Sequence, residues 1–579
     1  MAAAAILSIT LIPVLMGYFI RGKIIAEAKN PVNRFLHWIH APALQRLVLQ
    51  PKKTVLVALL LLMATAYPVS QLGTEFMPPL DEGDILYMPT LFPGISITKV
   101  KEVVQQTDRI LKTFPEVKTV FGKAGRAQTA TDPAPLSMLE TTVRLKPRAE
   151  WPDPSKTAQQ LMKEMDAAIQ FPGVANAWTM PIKTRIDMLS TGIKTPIGVK
   201  VSGPDLNELQ RLSGEIERAM KTIPDTLSAF GDRAVGGYYV DFNINRQQAA
   251  RYGLTVGDVQ DVVQSAMGGM NVTQTVEGLE RYPVNLRYAR DLRDSVQAAK
   301  RILVATPSGA RIPLAELADI ALNRGPPAIK SENARPSAWI YIDIKTSDIG
   351  GYVQQAKQVL AQQVDIPPGY TVAWSGQFEY MERAAERLKM VVPVTLLSIF
   401  LLLYFNFRNV AEPLVVMLSI PFAMVGGVWL VYLLGYNLSV AVVVGFIALA
   451  GVAAEIGVLV LTFIDQEIAR QRHLQATEQG TPALEYAQAP GDPALSQEQI
   501  MAAVHTGTAE RVRPIVMTAT AIIVGLLPIM WGSGTGSEVM QRIAAPMVGG
   551  MLTVTVLSLL VLPVIYGMVL QHQERHRRK

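Results

Sequence analysis

Apolar stretches long enough to cross a bilayer fall at 1–20, 54–72, 390–406, 413–434, 438–464, 514–531 and 544–570, two before and five after a polar-patterned block of residues 73–389. A hydrocarbon core of ~30 Å needs about 20 residues of helix, and each such segment must satisfy its own backbone hydrogen bonds. The pattern predicts an α-helical membrane bundle of about seven spans with a large α+β region outside the bilayer. Basic residues set the orientation. Arg21, Lys23, Lys29, Arg34, Arg46, Lys52 and Lys53 follow the first stretch, Arg408, Arg470, Arg472, Arg511 and Arg513 lie in later connectors, and Arg575, Arg577, Arg578 and Lys579 close the chain. Those faces are cytoplasmic by the positive-inside rule. The connector 532–540 has no lysine or arginine, so it and block 73–389 lie on the opposite side.

The expected organisation is a membrane helix at 1–22, an amphipathic cytoplasmic connector at 23–53 and a second membrane helix at 54–72. Three more membrane helices occupy 390–464, a cytoplasmic loop 465–513, two final membrane helices 514–570 and a basic cytoplasmic tail 571–579. Met1–Ile20 has neither a basic leader nor a small-residue cleavage site, so it reads as a membrane helix and the chain as the second part of a longer polytopic protein. Within 73–389 a helical stretch, a proline turn and a short strand recur at 100–121, 157–178, 206–230 and 350–374. Such units predict subdomains of the split βαβ kind. The stretch 246–325 breaks the pattern and reads as an insertion between 73–245 and 326–389.

Composition removes several chemistries. The chain has no cysteine, which excludes disulfides, a thiol nucleophile and thiolate ligands, and leaves 24 methionines as its soft sulfur. All six histidines lie outside 73–389, so that block holds no histidine zinc site. The formal charge of +6 is accounted for by the cytoplasmic clusters and calls for no nucleic-acid surface. No Walker A, HExxH or GxSxG motif occurs, and the run Gly532–Gly536 reads as a turn between spans, so no enzymatic site is expected.

Two constellations stand out. Glu455 lies near the middle of an apolar span, where a carboxylate is costly and is expected to pair, titrate or line a water path; a hydrogen-bonded structural carboxylate is the lesser alternative. Met88, Met138 and Met188 each stand beside charged residues of the extramembrane block: Glu82 and Asp84, then Asp132 and Glu140, then Arg185, Asp187 and Lys194. Thioethers favour monovalent copper or silver and bind without losing a proton, yet spacing alone favours core packing over ligation.

The stretches Glu75–Asp84 (EFMPPLDEGD), Arg185–Lys194 (RIDMLSTGIK), Ser331–Pro336 (SENARP) and Gly451–Glu455 (GVAAE) resemble the heavy-metal efflux branch of the RND transporters, copper/silver type. The likeness runs nearly end to end and covers only the C-terminal half of such a pump. It implies a proton-driven cation antiporter of the bacterial inner membrane, multi-pass, with its large domain in the periplasm and its C-terminus in the cytoplasm. The implied assembly is a homotrimer with a periplasmic adaptor protein and an outer-membrane channel, completed by the missing N-terminal half. It implies porter subdomains at 73–245 and 326–389 and a docking-type insertion at 246–325. The three-methionine site falls on Met88, Met138 and Met188, with Cu(I) or Ag(I) as transported substrate and no cofactor. Charged positions at the cleft entrance match Glu82, Asp132, Glu140, Arg185 and Lys194. The proton-relay carboxylate matches Glu455, and a methionine handing metal along matches Met540. Where these pumps have a relay lysine, Ile515 stands. Divalent zinc or cobalt as substrate, organic compounds, and a truncated non-transporting fragment remain as alternatives.

Overall fold

The computed structural model describes residues 2–19, 30–78, 80–125, 134–478, 495–532 and 534–577. The chain divides into two compact units. One comprises 1–81, 347–351 and 380–579, the other 82–346 and 352–379.

In the first unit six helices among the described residues are long and apolar enough to cross a membrane: Pro51–Gln71, Gln377–Phe407, Ala411–Leu433, Val440–Gln475, Gln497–Trp531 and Ser537–His576. The expectation of seven differs at the first segment. Residues Ala2–Phe19 are helical, but the described apolar stretch there, Ile6–Phe19, falls short of that length. The core of this unit is aliphatic, built from Val416, Leu449, Ala453, Val460, Ile515, Met551 and Tyr566 among others. Ala411–Leu433 and Ser537–Arg577 approach so closely that a Cβ on Gly426 would strike the Gly549 carbonyl, and one on Gly549 the Gly426 carbonyl. Thr553 Oγ1 fills the remaining space, donating to the Ala423 carbonyl at 3.0 Å and accepting from Gly426 N at 3.2 Å. Small residues that admit backbone contact are a common basis for helix packing in lipid.

A polar knot closes one end of the same unit. Thr74 pairs with Leu438, its amide donates to Asp348 Oδ1 at 2.7 Å, and buried Glu75 meets Arg542 at 3.2 Å and Asn437 at 3.3 Å.

Among the described residues the second unit holds two larger antiparallel sheets and three two-stranded antiparallel pairs. The first pairs Asp84–Tyr87, Val117–Ala124, Leu139–Leu145 and Trp178–Thr179, so that the chain's second, third, first and fourth strands lie side by side. Helices Ile97–Lys112 and Ala158–Ala168 follow its first and third strands and cover an apolar face of Ile85, Tyr87, Leu111, Val143, Leu161 and Met165. The same order recurs in the second sheet with Ile197–Ser202, Thr226–Gly231, Arg335–Ile344 and Thr371–Gly376, whose helices are Leu206–Lys221 and Ile349–Gln363. The short strand Lys330–Glu332 joins its edge.

Local sequence sets the helix starts. Ser96 caps through the Lys99 amide, Thr157 and Gln160 form a reciprocal capping box, and Asp205 accepts from Glu208 N. Alternation buries one face of the second sheet, with Val199, Val201, Ile340 and Ile342 packed beneath Leu209, Leu212 and Ile216. Residues 237–325 between its second and third strands form their own small core around Leu254, Val259, Ile302 and Leu317, and a fully exposed hairpin, Met270–Leu286.

Candidate functional site

Met88 follows directly on the first strand of the first sheet and is almost fully buried, at 1% exposure. Its amide donates to the Ala177 carbonyl at 2.8 Å. Two residues on, Thr90 bridges Met138 on one side and Ala175 on the other, while Leu91 N reaches Ser137 O at 2.7 Å and Leu139 N reaches Pro89 O at 3.3 Å. Met138 therefore stands opposite Thr90, and in an extended pair residues two apart share a face with the residue opposite, so Met88 and Met138 are diagonal neighbours. Met188 belongs to the helix Pro181–Thr191, which begins two residues after the strand that pairs with Leu86 and Tyr87. Met138 and Met188 are half-buried.

The helix ends at Gly192, whose φ of 77° a side chain would resist and whose position a Cβ could not occupy against the Trp339 ring. The chain then turns back to deliver Lys194. Its ammonium donates to the Met88 carbonyl at 2.9 Å and to Thr90 Oγ1 at 2.5 Å, with the Tyr341 ring 5.6 Å away. The three methionine-bearing segments thus belong to one hydrogen-bonded patch. Lys194, expected at the entrance, is buried at 7% exposure. Burial, with Lys330 adding to it, pushes its ammonium down to about 7 against the pull of Asp232 and Glu140.

The other entrance residues fall differently. Glu140 is buried and ion-paired to Lys123 at 3.0 Å and Arg185 at 3.8 Å, so its charge is balanced locally. Arg185 lies on the exposed side of the Met188 helix. Glu82 accepts two backbone amides at the start of that helix. Asp132 lies outside the described residues. Among the described residues no three His, Cys, Asp or Glu side chains come together to hold a metal.

In the membrane unit Glu455 sits on the Val440–Glu478 helix with Gly451 and Leu459, one turn to either side, along an exposed strip. No hydrogen bond or ion pair to it forms among the described residues. Ile515 packs in the aliphatic core, and Met540 is 47% exposed in the first turn of Ser537–Arg577. A second polar cluster escaped the sequence reading. The Tyr566 hydroxyl lies between Glu412, at 3.3 Å, and Asp465, and Asn409 donates to Glu412. Ionisable residues just beyond the predicted span edges were the available signal.

The chain matches the model of the AcrB/AcrD/AcrF family over residues 1–482 and 493–570 and belongs to that family. It is 48% identical over 578 residues to the cation efflux system protein CusA of Escherichia coli (strain K12), covering 100% of this chain and 54% of that protein. It is also 48% identical over 569 residues to the putative cation efflux system protein SilA of Salmonella typhimurium, covering 98% of this chain and 53% of that one. The cobalt-zinc-cadmium resistance protein CzcA of Cupriavidus metallidurans is more distant, at 33% identity with coverages of 99% and 52%. A crystal structure of a heavy metal efflux pump superposes with a TM-score of 0.81 at 28% identity, covering 93% of this chain and 52% of that one. The chain spans about half the length of the curated relatives it matches.

Proposed function

We propose that this chain supplies the methionine site and a major part of the membrane machinery of a proton-driven RND transporter that exports monovalent copper or silver. The observation that carries the reading is the joining of the Met88, Met138 and Met188 segments in one hydrogen-bonded patch of a block with no cysteine and no histidine. Higher identity to CusA and SilA than to CzcA supports monovalent over divalent cargo.

In this reading residues 73–245 and 326–389 form porter subdomains of the split βαβ kind on the periplasmic side, and 246–325 is a docking insertion. The basic-flanked helix ends and the C-terminus face the cytoplasm of a bacterial inner-membrane protein. Assembly is a homotrimer with a periplasmic adaptor and an outer-membrane channel. Glu455 carries the proton. Its open strip suits a carboxylate that meets its partner on helices other than those of this chain, and Ile515 offers no charge to pair with it. Met540 hands metal along from the membrane side.

A neutral three-sulfur site holds a soft monovalent cation without releasing protons, while burial of Met88 keeps water from competing. X-ray absorption of the purified chain loaded with one equivalent of silver tests this. Sulfur-only first-shell scattering is expected; a nitrogen or oxygen shell, or preferential binding of zinc, refutes it.

A further inference from the structure

The helix that carries Met188 provides no cap of its own. Met180 stands at its N-cap position without a side-chain hydrogen bond, and Pro181 at the first position has no N–H to satisfy. The next two amides point at a carboxylate 100 residues earlier in the chain. Ile182 N donates to Glu82 Oε2 at 2.7 Å and Lys183 N to Glu82 Oε1 at 2.8 Å. Both oxygens are engaged, at the short distances of charge-assisted bonds and at the positive end of the helix dipole.

Glu82 stands two residues before the strand Asp84–Tyr87, which runs straight into Met88. That strand also pairs with Trp178–Thr179, which leads into the same helix. The strand pairing fixes where the chain enters the helix, and the two-pronged cap fixes the direction in which the helix leaves. Direction matters because Met188 lies about 9 Å along the axis from Ile182. A tilt of about 10° at the start would carry its sulfur some ~1.5 Å sideways, enough to lose a metal–sulfur bond.

We infer that Glu82 is a positioning residue that sets Met188 against Met88 by capping one methionine-bearing element from the other, rather than a charge that draws in cations. The inference rests on the proposed methionine site.

Its test is a double-mutant cycle on the full chain in detergent, read by silver titration at low and high ionic strength. Glu82→Ala should weaken silver binding about three- to tenfold at both salt concentrations, and Glu82→Gln, which keeps one carbonyl acceptor, should weaken it less. In a Met188→Leu background Glu82→Ala should cost nothing further, since the sulfur it positions is already gone. An unchanged affinity, an effect that disappears at high salt, or the same loss with and without Met188 would each overturn the inference. If the wild-type chain binds no silver, the methionine-site reading fails separately. Amide exchange then decides on Glu82: residues 182–185 should exchange faster in Glu82→Ala, and unchanged protection there refutes the cap.

Discussion

Replacing each site methionine with leucine separates ligands from packing, because the three differ in burial. Met88 is 1% exposed, whereas Met138 and Met188 are half-buried. A near-isosteric apolar swap in a core costs less than about 1.5 kcal/mol, and at a partly exposed position within about 0.5 kcal/mol of nothing. If the thioethers only pack, Met88→Leu lowers the melting temperature measurably and the other two do not. If they ligate, each substitution removes one of three soft donors that no neighbour can replace, and each should weaken silver binding about tenfold or more, roughly 1.4 kcal/mol. Losses of affinity should then be of similar size at all three positions and unrelated to the order of burial. Isothermal silver titration beside thermal melts of the same preparations reads both quantities. Losses that follow burial, or melting shifts with unchanged affinity, would refute the ligand assignment.

Asp343, buried in the second sheet with the Ile344 amide as its hydrogen-bond donor, should make stability depend on pH. Burial, with Asp166 adding to it, pushes its carboxyl up to about 7. The folded state therefore holds a proton that the unfolded chain releases near pH 4, and stability falls as pH rises from about 4 to 7. Asp343→Asn should flatten that slope and raise stability at pH 8 by at most about 4 kcal/mol; a slope unchanged in melts from pH 4.5 to 8 sinks the assignment. Glu455→Gln should leave the melting temperature of the chain unchanged, since no described group pairs with it, yet abolish silver resistance in an assembled pump. Wild-type resistance in that variant would remove Glu455 from proton transfer.

Hydropathy made the long spans legible because lipid demands continuous apolar helix, and the repeat placed helix starts at 157 and 206 to within a residue, whereas the helix expected from 100 begins at Ile97 behind its Ser96 cap. Orientation of a face was not legible. Glu455 occupies the uncovered side of its helix, a matter of which neighbours pack where, and sequence cannot report that. Lys194 looked like a surface charge beside a glycine turn, but that turn sends it inward to the Met88 carbonyl. Span edges placed at 413 and 464 left Glu412 and Asp465 one residue outside, hiding the pair that Tyr566 joins. Glu82 was recognised as a charge and not as a cap, because its amide partners lie 100 residues on and capping rules look only three residues ahead.

Backbone meets backbone where Gly426 faces Gly549, with only Thr553 and the Leu430 Cβ packed beside the contact. Such a joint can neither compress nor slide without one main chain riding over the other. That contact ties Ala411–Leu433 to Ser537–Arg577 at a point inside both helices. Even one added methyl at this seam would act as a wedge between the two main chains.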